Sequence, residues 1–349
     1  MWRRRGWLFA LAGLMGVVPA VAAAFVRVPY FLLSPGEARG VAQLIKVDDP
    51  QVTVYDPKGA ILFTTVSLRG NVNVYEALQG WLDDEIEVVP EERITGGQPR
   101  DQVKQINIEA MDTSKLTATK VALERLGYRV GLDGKGAVVT DVLKDTPAHG
   151  KLQVGDVILA VDGETVGLND QAVAKVRRHK PGDTINLHFR RGTAEQDLSL
   201  VAADSNDGTH TARIGVVLGQ TLEATYKFPV SVSIDTGEVG GPSAGLAFTL
   251  ALIDELSPGE LTGGRPVAVT GTIDINGNVG LVGGVAQKTV TARRAGAVAF
   301  LVPPDEEAEA KTYAGRMRIV PVKDLSEALA ALEDLGGSGL ALPSAPPGS

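Results

Sequence analysis

Ser243 stands in Gly-Gly-Pro-Ser-Ala-Gly (240–245), and Lys288 follows 45 positions later in Gly-Gly-Val-Ala-Gln-Lys, with no histidine between them. A serine hydroxyl is a weak nucleophile until an adjacent base takes its proton. Lysine can be that base only when neutral. Its reference pKa near 10.4 must fall by roughly three units to serve near pH 7, which at about 1.36 kcal/mol per unit disfavours the charged form by roughly 4 kcal/mol. Burial and local dipoles have to supply that shift.

The elements that must position the pair come next. Pro242 suits a first helical position, and Ala244, Leu246, Ala247, Phe248, Leu250, Ala251 and Ile253 predict a nearly all-apolar, buried helix that ends before Pro258. Ser243 in its first turn would lie beside unpaired backbone N–H groups able to hold the oxyanion of an acyl-transfer intermediate, with Gly241, Pro242 and Ala244 shaping that corner. Lys288 falls in the first turn of a second predicted helix, Val285 to Arg294, closed by Gly296. A cation there opposes the helix dipole, but the dipole contributes only about 0.3–1 kcal/mol, so desolvation must do most of the work.

From Ser231 to Pro304 the chain closely resembles the proteolytic domain of the Lon family. The resemblance implies Ser243 as nucleophile, Lys288 as its base, and Thr270 of the Thr270-Gly271 pair as the hydroxyl that orients the lysine amine. Read alone, Thr270 is equally a β-branched residue of a strand from Pro266 to Ile273. Two positions depart from the family. Many Lon proteases carry an aspartate three residues before the serine, where this chain has Gly240, and Thr272 replaces the glutamate of Thr-Gly-Glu.

Other chemistries fit less well. His149, His179, His188 and His210 show no metal-ligand spacing, and no Ser-x-x-Lys occurs. Gly277, Gly280 and Gly283 imitate a dinucleotide fingerprint, but Asp274-Ile-Asn-Gly277 reads as a hairpin turn. The 349 residues contain no Gly-x-x-x-x-Gly-Lys-Ser/Thr loop, so proteolysis is expected to run without ATP, and no cofactor or metal is expected.

A second module spans Leu126 to about Val201 and resembles a bacterial PDZ domain, β-rich with two helices; its most specific stretch is Leu152 to Gly163. Such domains take an extended peptide end by strand addition, and by position Leu126-Gly127-Tyr128 is the loop expected to receive its carboxylate. An interdomain spacer with a blocked groove is the competing reading. Upstream, Gly59 to Ser67 predicts a strand, Val74 to Leu82 a short helix, and Glu109 to Leu126 an amphipathic helix. Lon proteolytic domains also begin with strands and then a helix, one that Met111 and Ser114 resemble. Residues 59–125 are therefore expected to be the first part of the protease domain, with the PDZ module (126–202) inserted before the core (203–335). The fold class expected is α+β.

Composition bounds the rest. A chain 44% hydrophobic and 22% charged has room for about two folded domains, and a net charge of −8 argues against nucleic acid as partner. With no cysteine it has no disulfide and no thiol chemistry. Arg3, Arg4 and Arg5 precede a run from Trp7 to Val28 that is uncharged until Arg27, long enough at about 20 residues to cross about 30 Å of hydrocarbon. It predicts a transmembrane anchor or a signal peptide cut after Ala22 or Ala24, and in either case everything beyond Val28 faces outward. The Gly/Pro/Ser/Ala-rich tail, 336–349, is expected to be disordered.

The order of anchor, PDZ module and Lon-type core resembles the membrane-anchored, PDZ-containing Lon-like proteases of bacteria. That resemblance implies a single-pass, extracytoplasmic serine endopeptidase acting on protein or peptide substrates, with room for a homo-oligomeric ring through the protease domain. A catalytically silent PDZ scaffold on a protease-like body is the alternative.

Overall fold

The computed structural model describes residues 21–205 and 210–338 of the 349. The chain divides into two units, the first formed by 1–129 with 230–349 and the second by 130–229. The first stretch supplies β1 (Tyr30–Gly40), β2 (Ala60–Arg69), α1 (Val74–Trp81), β3 (Glu87–Pro90), α2 (Glu91–Thr95) and α3 (Arg100–Arg125). The second unit holds β4 (Ala137–Val142), β5 (Val157–Val161), α4 (Asn169–Arg177), β6 (Thr184–Arg191), β7 (Ala194–Val201) and β8 (Val216–Thr221). The chain returns to the first unit with α5 (Gly245–Leu256), β9 (Pro266–Val269), α6 (Val285–Arg294), β10 (Ala299–Val302), α7 (Glu307–Tyr313), β11 (Arg318–Pro321) and α8 (Leu325–Asp334).

The first unit is built on one sheet in the order β11-β10-β9-β2-β1-β3. Its β11/β10, β10/β9 and β9/β2 pairs are parallel, and its β2/β1 and β1/β3 pairs antiparallel. This is a mixed α/β arrangement, not the segregated α+β class expected. The parallel strands Pro266–Val269 and Ala299–Val302 are short, apolar and almost wholly buried, as strands covered on both faces must be. Every residue of α5 is buried, which is why its sequence shows no polar face.

Two elements differ in extent from their sequence signal. α3 begins at Arg100, nine residues before the predicted start; its first turns are mostly exposed and rich in polar residues, with Arg100, Asp101, Gln102 and Lys104. The strand predicted over Pro266 to Ile273 is cut after Val269 by Gly271 at φ +144°; Thr272–Ile273 turns away to pair with Val279–Gly280. Asp274 Oδ1 accepts the N–H groups of Asn276 and Asn278 and closes that hairpin.

The second unit is an antiparallel sheet in the order β7-β6-β5-β4-β8 around a core that includes Ile158, Ile185, Leu187, Phe189 and Leu200. Among its described residues it has one α-helix, α4, where two were expected. The other position is a series of turns over 146–152, held by His149 N–H on the Thr146 carbonyl and Leu152 N–H on that of Ala148. The unit also runs beyond residue 202, because β8 pairs with β4 and completes the sheet.

Among the described residues no helix is long and apolar enough to cross a membrane. The run Trp7 to Val28 that carries the anchor expectation falls mostly at residues 1–20, outside the described residues. Most of the tail expected to be disordered, from 339 on, also lies outside them.

Candidate active site

The glycine-rich segment leads into α5, but Ser243 is not in the first helical turn as expected. Ala244 is the N-cap and Gly245 the first helical residue, so Ser243 sits on the turn just outside. Four bonds pin this turn. Gly241 N–H donates to the Asn107 carbonyl at 2.8 Å, and Ser114 Oγ donates to that of Pro242 at 3.0 Å. Gly271 N–H and Thr270 Oγ1 reach the Ser243 carbonyl at 3.0 and 3.3 Å. Gly245 is required by close approach, since a Cβ there would stand 2.9 Å from Ser114 Oγ and 3.0 Å from the Ile273 nitrogen. Among the described residues the N–H groups of Ser243 and Ala244 have no acceptor, so they are available to an oxyanion.

Gly284, at φ +69°, starts α6 and turns the chain so that Lys288 points into the unit. Lys288 is 2% exposed. Its Nζ lies 2.8 Å from Ser243 Oγ and 3.4 Å from Thr270 Oγ1. Burial pushes its pKa down to about 8, against the opposing pull of the Glu306 carboxylate. Two well-separated sequence segments thus place a weakly basic amine against a hydroxyl, with a second hydroxyl fixing the amine.

Glu306 carries no sequence signal, because it belongs to no motif. Its Oε1 accepts the Val282 N–H at 2.8 Å, on the loop that enters α6, and its Oε2 is buried without a partner among the described residues. Burial pushes its pKa up, while the Val282 N–H and Lys288 hold it down. Asn107 likewise carries no sequence signal, since it acts from within α3, and Ser114 carries only its resemblance.

Gly240 occupies the place of the family's aspartate. A Cβ at this position would lie 3.0 Å from that of Asn107, so α3 fills the space a side chain would take. Among the described residues no cluster of three or more His, Cys, Asp or Glu could hold a metal ion. His179 and His188 are engaged by Asp162 at 2.7 Å and Asp197 at 2.8 Å, in the second unit.

The second unit has a groove of its own. A cavity of about 210 Å³ lies between α4 and the stretch Ala212–Leu218, lined by Ile158, Ala172, Val173, Val176, Ile214 and Val216 among others. β8 is an outer strand of the sheet, bonded to β4 along one side. Arg213 also lines the cavity, and its Nε is buried without an acceptor among the described residues. The expected loop Leu126-Gly127-Tyr128 is not part of this groove. Leu126 is the buried C-cap of α3, and all three residues belong to the first unit. The sequence order gave no sign of this, because the outer strand beside α4 comes last in sequence among the strands of that sheet.

Residues 124–201 match the PDZ domain family, and residues 217–333 match the Lon protease (S16) C-terminal proteolytic domain. A Lon protease of Ureaplasma parvum is 30% identical over 144 residues, 36% of this chain and 17% of that protein. Lon protease 1 of Sorangium cellulosum is 34% identical over 139 residues, 37% of this chain and 16% of that protein. The chain thus spans about a sixth of the length of these relatives. Among solved structures, the PDZ domain of the SdrC-like protein from Listeria monocytogenes matches with a TM-score of 0.23 and 26% identity, covering 24% of this chain and 87% of that one. The chain carries a Lon proteolytic domain and a PDZ domain.

Proposed function

We propose that the protein is an ATP-independent serine endopeptidase with a Ser243–Lys288 dyad, anchored at the outer face of a bacterial cytoplasmic membrane. The observation that carries the reading is the 2.8 Å approach of a buried amine, with pKa about 8, to a serine hydroxyl at the mouth of a helix. Neutral Lys288 takes the proton from Ser243 Oγ, and the oxygen attacks the scissile carbonyl. The N–H groups of Ser243 and Ala244 hold the oxyanion. The lysine then returns the proton to the departing amine, and water, activated by the same lysine, releases the acyl group. Thr270 keeps Nζ aimed at the hydroxyl and steadies the Ser243 carbonyl.

The second unit would feed this site. An extended peptide added along β8 places alternate side chains against the apolar wall of α4, and Arg213 suits a terminal carboxylate at the end of the groove. The uncharged run after Arg3, Arg4 and Arg5 supports the anchor.

The full-length protein, incubated with an unfolded protein and no nucleotide, is expected to cleave it. Ser243→Ala and Lys288→Arg are expected to lose cleavage while keeping the fold, the second because arginine stays protonated. Equal cleavage by wild type and Ser243→Ala would remove Ser243 as nucleophile. No cleavage by any form, with peptide binding retained, would favour the scaffold reading.

A further inference from the structure

α1 (Val74–Trp81) is an eight-residue helix with three distinct sides. Ala77 and Gly80 are buried against the unit. Val74, Tyr75, Leu78, Trp81 and Leu82 are all exposed, Trp81 at 61% and Leu82 at 79%. At about 100° per residue these five fall within an arc of about 120°, the width of an apolar stripe that normally faces a core. Here it faces outward.

The stripe stands where the chain enters the described unit. The Val28 N–H donates to the Val72 carbonyl at 2.9 Å, and Arg27 pairs with Asn73, the N-cap of α1, in an isolated bridge. The Arg27 guanidinium donates to the Asn71 carbonyl at 3.0 Å and lies 3.7 Å from Glu76 on the helix. The segment just before it continues the apolar surface, with Phe25 78% exposed. Tyr30 meets the Trp81 ring edge-on, with centroids 5.9 Å apart. Aromatic rings and an arginine therefore gather at the end of the run Trp7 to Val28, which is uncharged until Arg27.

We propose that the exposed stripe of α1 lies in the headgroup region of a phospholipid bilayer, as an interfacial helix beside the point where the chain leaves the membrane. The proposal rests on the anchor reading above and adds to it a second, peripheral contact made by the folded unit. The bonds of residues 27 and 28 leave no linker between the run and the helix, so a membrane crossing by that run sets α1 against the bilayer surface. Amphipathic helices of this kind bury their apolar face roughly 5–10 Å into the headgroup and acyl boundary, and Trp and Tyr favour that depth. Arg27 and Arg69, both paired with Glu76, have stems able to lie along the surface with their charges in water. Asp83 and Asp84 follow the helix, so the attraction is apolar and zwitterionic lipid is the suitable surface. The contact would fix the orientation of the proteolytic unit relative to the membrane instead of leaving it on a flexible tether.

The sequence offers a reporter, since Trp2, Trp7 and Trp81 are its only tryptophans and it has no cysteine. Full-length protein with Trp2→Phe and Trp7→Phe, which leave Trp81 alone, would be reconstituted in phosphatidylcholine vesicles, with and without brominated acyl chains. Flotation after an alkaline wash reports the anchor. Trp81 emission reports α1: a blue shift and strong loss of emission with chains brominated near the headgroup is the expected result. A protein that floats while Trp81 keeps its aqueous emission and is not quenched overturns the proposal and leaves the anchor standing. Emission that is shielded but unquenched, and that changes with protein concentration, also overturns it, in favour of a second copy on α1. A protein that no longer floats defeats the anchor reading and this one with it. Leu78→Cys carrying an environment-sensitive probe, with all tryptophans intact, repeats the measurement if the double variant folds poorly.

Discussion

The pH dependence of cleavage is the most direct consequence of a lysine base. With a pKa of about 8, about a tenth of Lys288 is neutral at pH 7 and about nine-tenths at pH 9. The rate constant for a short uncharged peptide, measured as kcat/KM in the full-length protein, is expected to rise about tenfold per unit below pH 7 and to flatten above pH 9. Glu306 supplies the internal control. Its carboxylate opposes the effect of burial on Lys288, so Glu306→Gln removes a charge that favours the ammonium form and the midpoint is expected to move to lower pH. Gln keeps an oxygen for the Val282 N–H, so the loop that starts α6 is retained. A merely structural role for Glu306 would lower the rate at every pH without moving the midpoint. A profile flat from pH 6 to 10, or a midpoint that Glu306→Gln leaves in place or raises, would refute the reasoning that Lys288 is the titrating base.

Three further outcomes follow from the same geometry. Replacing Lys288 by Met is expected to abolish cleavage and yet stabilise the fold at pH 7 by about 3 kcal/mol, because the buried amine there is largely charged; the gain should shrink as pH rises from about 8 to 10.5 and the native lysine loses its proton, and urea unfolding across pH checks it. Thr270→Val is expected to lower kcat about tenfold to a hundredfold with KM nearly unchanged, since it removes one partner each from Nζ and the Ser243 carbonyl; steady-state kinetics within twofold of wild type would count against an orienting role. Burial and the neighbouring Asp254 push Glu255, near the end of α5, up to about 7, so protonated Glu255 contributes stability below about pH 4.5 that is lost as pH rises through 7; Glu255→Gln is expected to stabilise the protein at pH 8 by up to about 3 kcal/mol and to change little below pH 4.

Legibility in the sequence followed how local each feature is. α5 and α6 were readable because their apolar runs, Pro242 and the glycines at 283, 284 and 296 lie within the elements they define. The placing of Ser243 outside α5 was not, since it depends on the bonds from Thr270 and Gly271 to its carbonyl, brought from the far end of another strand. Thr270 was expected from resemblance, and the structure sets its hydroxyl between the Ser243 carbonyl and Nζ. The mixed sheet escaped notice because β2 and β9 lie about 200 residues apart, and nothing in either strand announces a parallel partner. The groove of the second unit was misplaced for a topological reason. Its outer strand β8 reads as an ordinary apolar segment beyond the expected domain end, and only its register on β4 reveals it.

The missing aspartate at Gly240 bears on how the lysine is kept neutral. A carboxylate beside an amine favours the ammonium form, whereas burial disfavours it, and the two effects compete at any lysine base. In this chain α3 occupies the space next to Gly240, and the turn is fixed instead by backbone and hydroxyl bonds from Asn107, Ser114, Thr270 and Gly271, none of which carries charge. Among the described residues Glu306 is the acid whose charge reaches Lys288, and its own burial pushes it toward the neutral acid. Alignment and basicity are therefore separated. Neutral groups hold Ser243 in place, desolvation sets the lysine, and one partly compensated carboxylate trims it. Introducing an acid at Gly240 would both press on α3 and work against the desolvation, so Gly240→Asp is expected to move the pH midpoint of cleavage upward, opposite to Glu306→Gln. A rate changed by the same factor at every pH, with the midpoint left in place, would show that alignment, not lysine basicity, limits the rate.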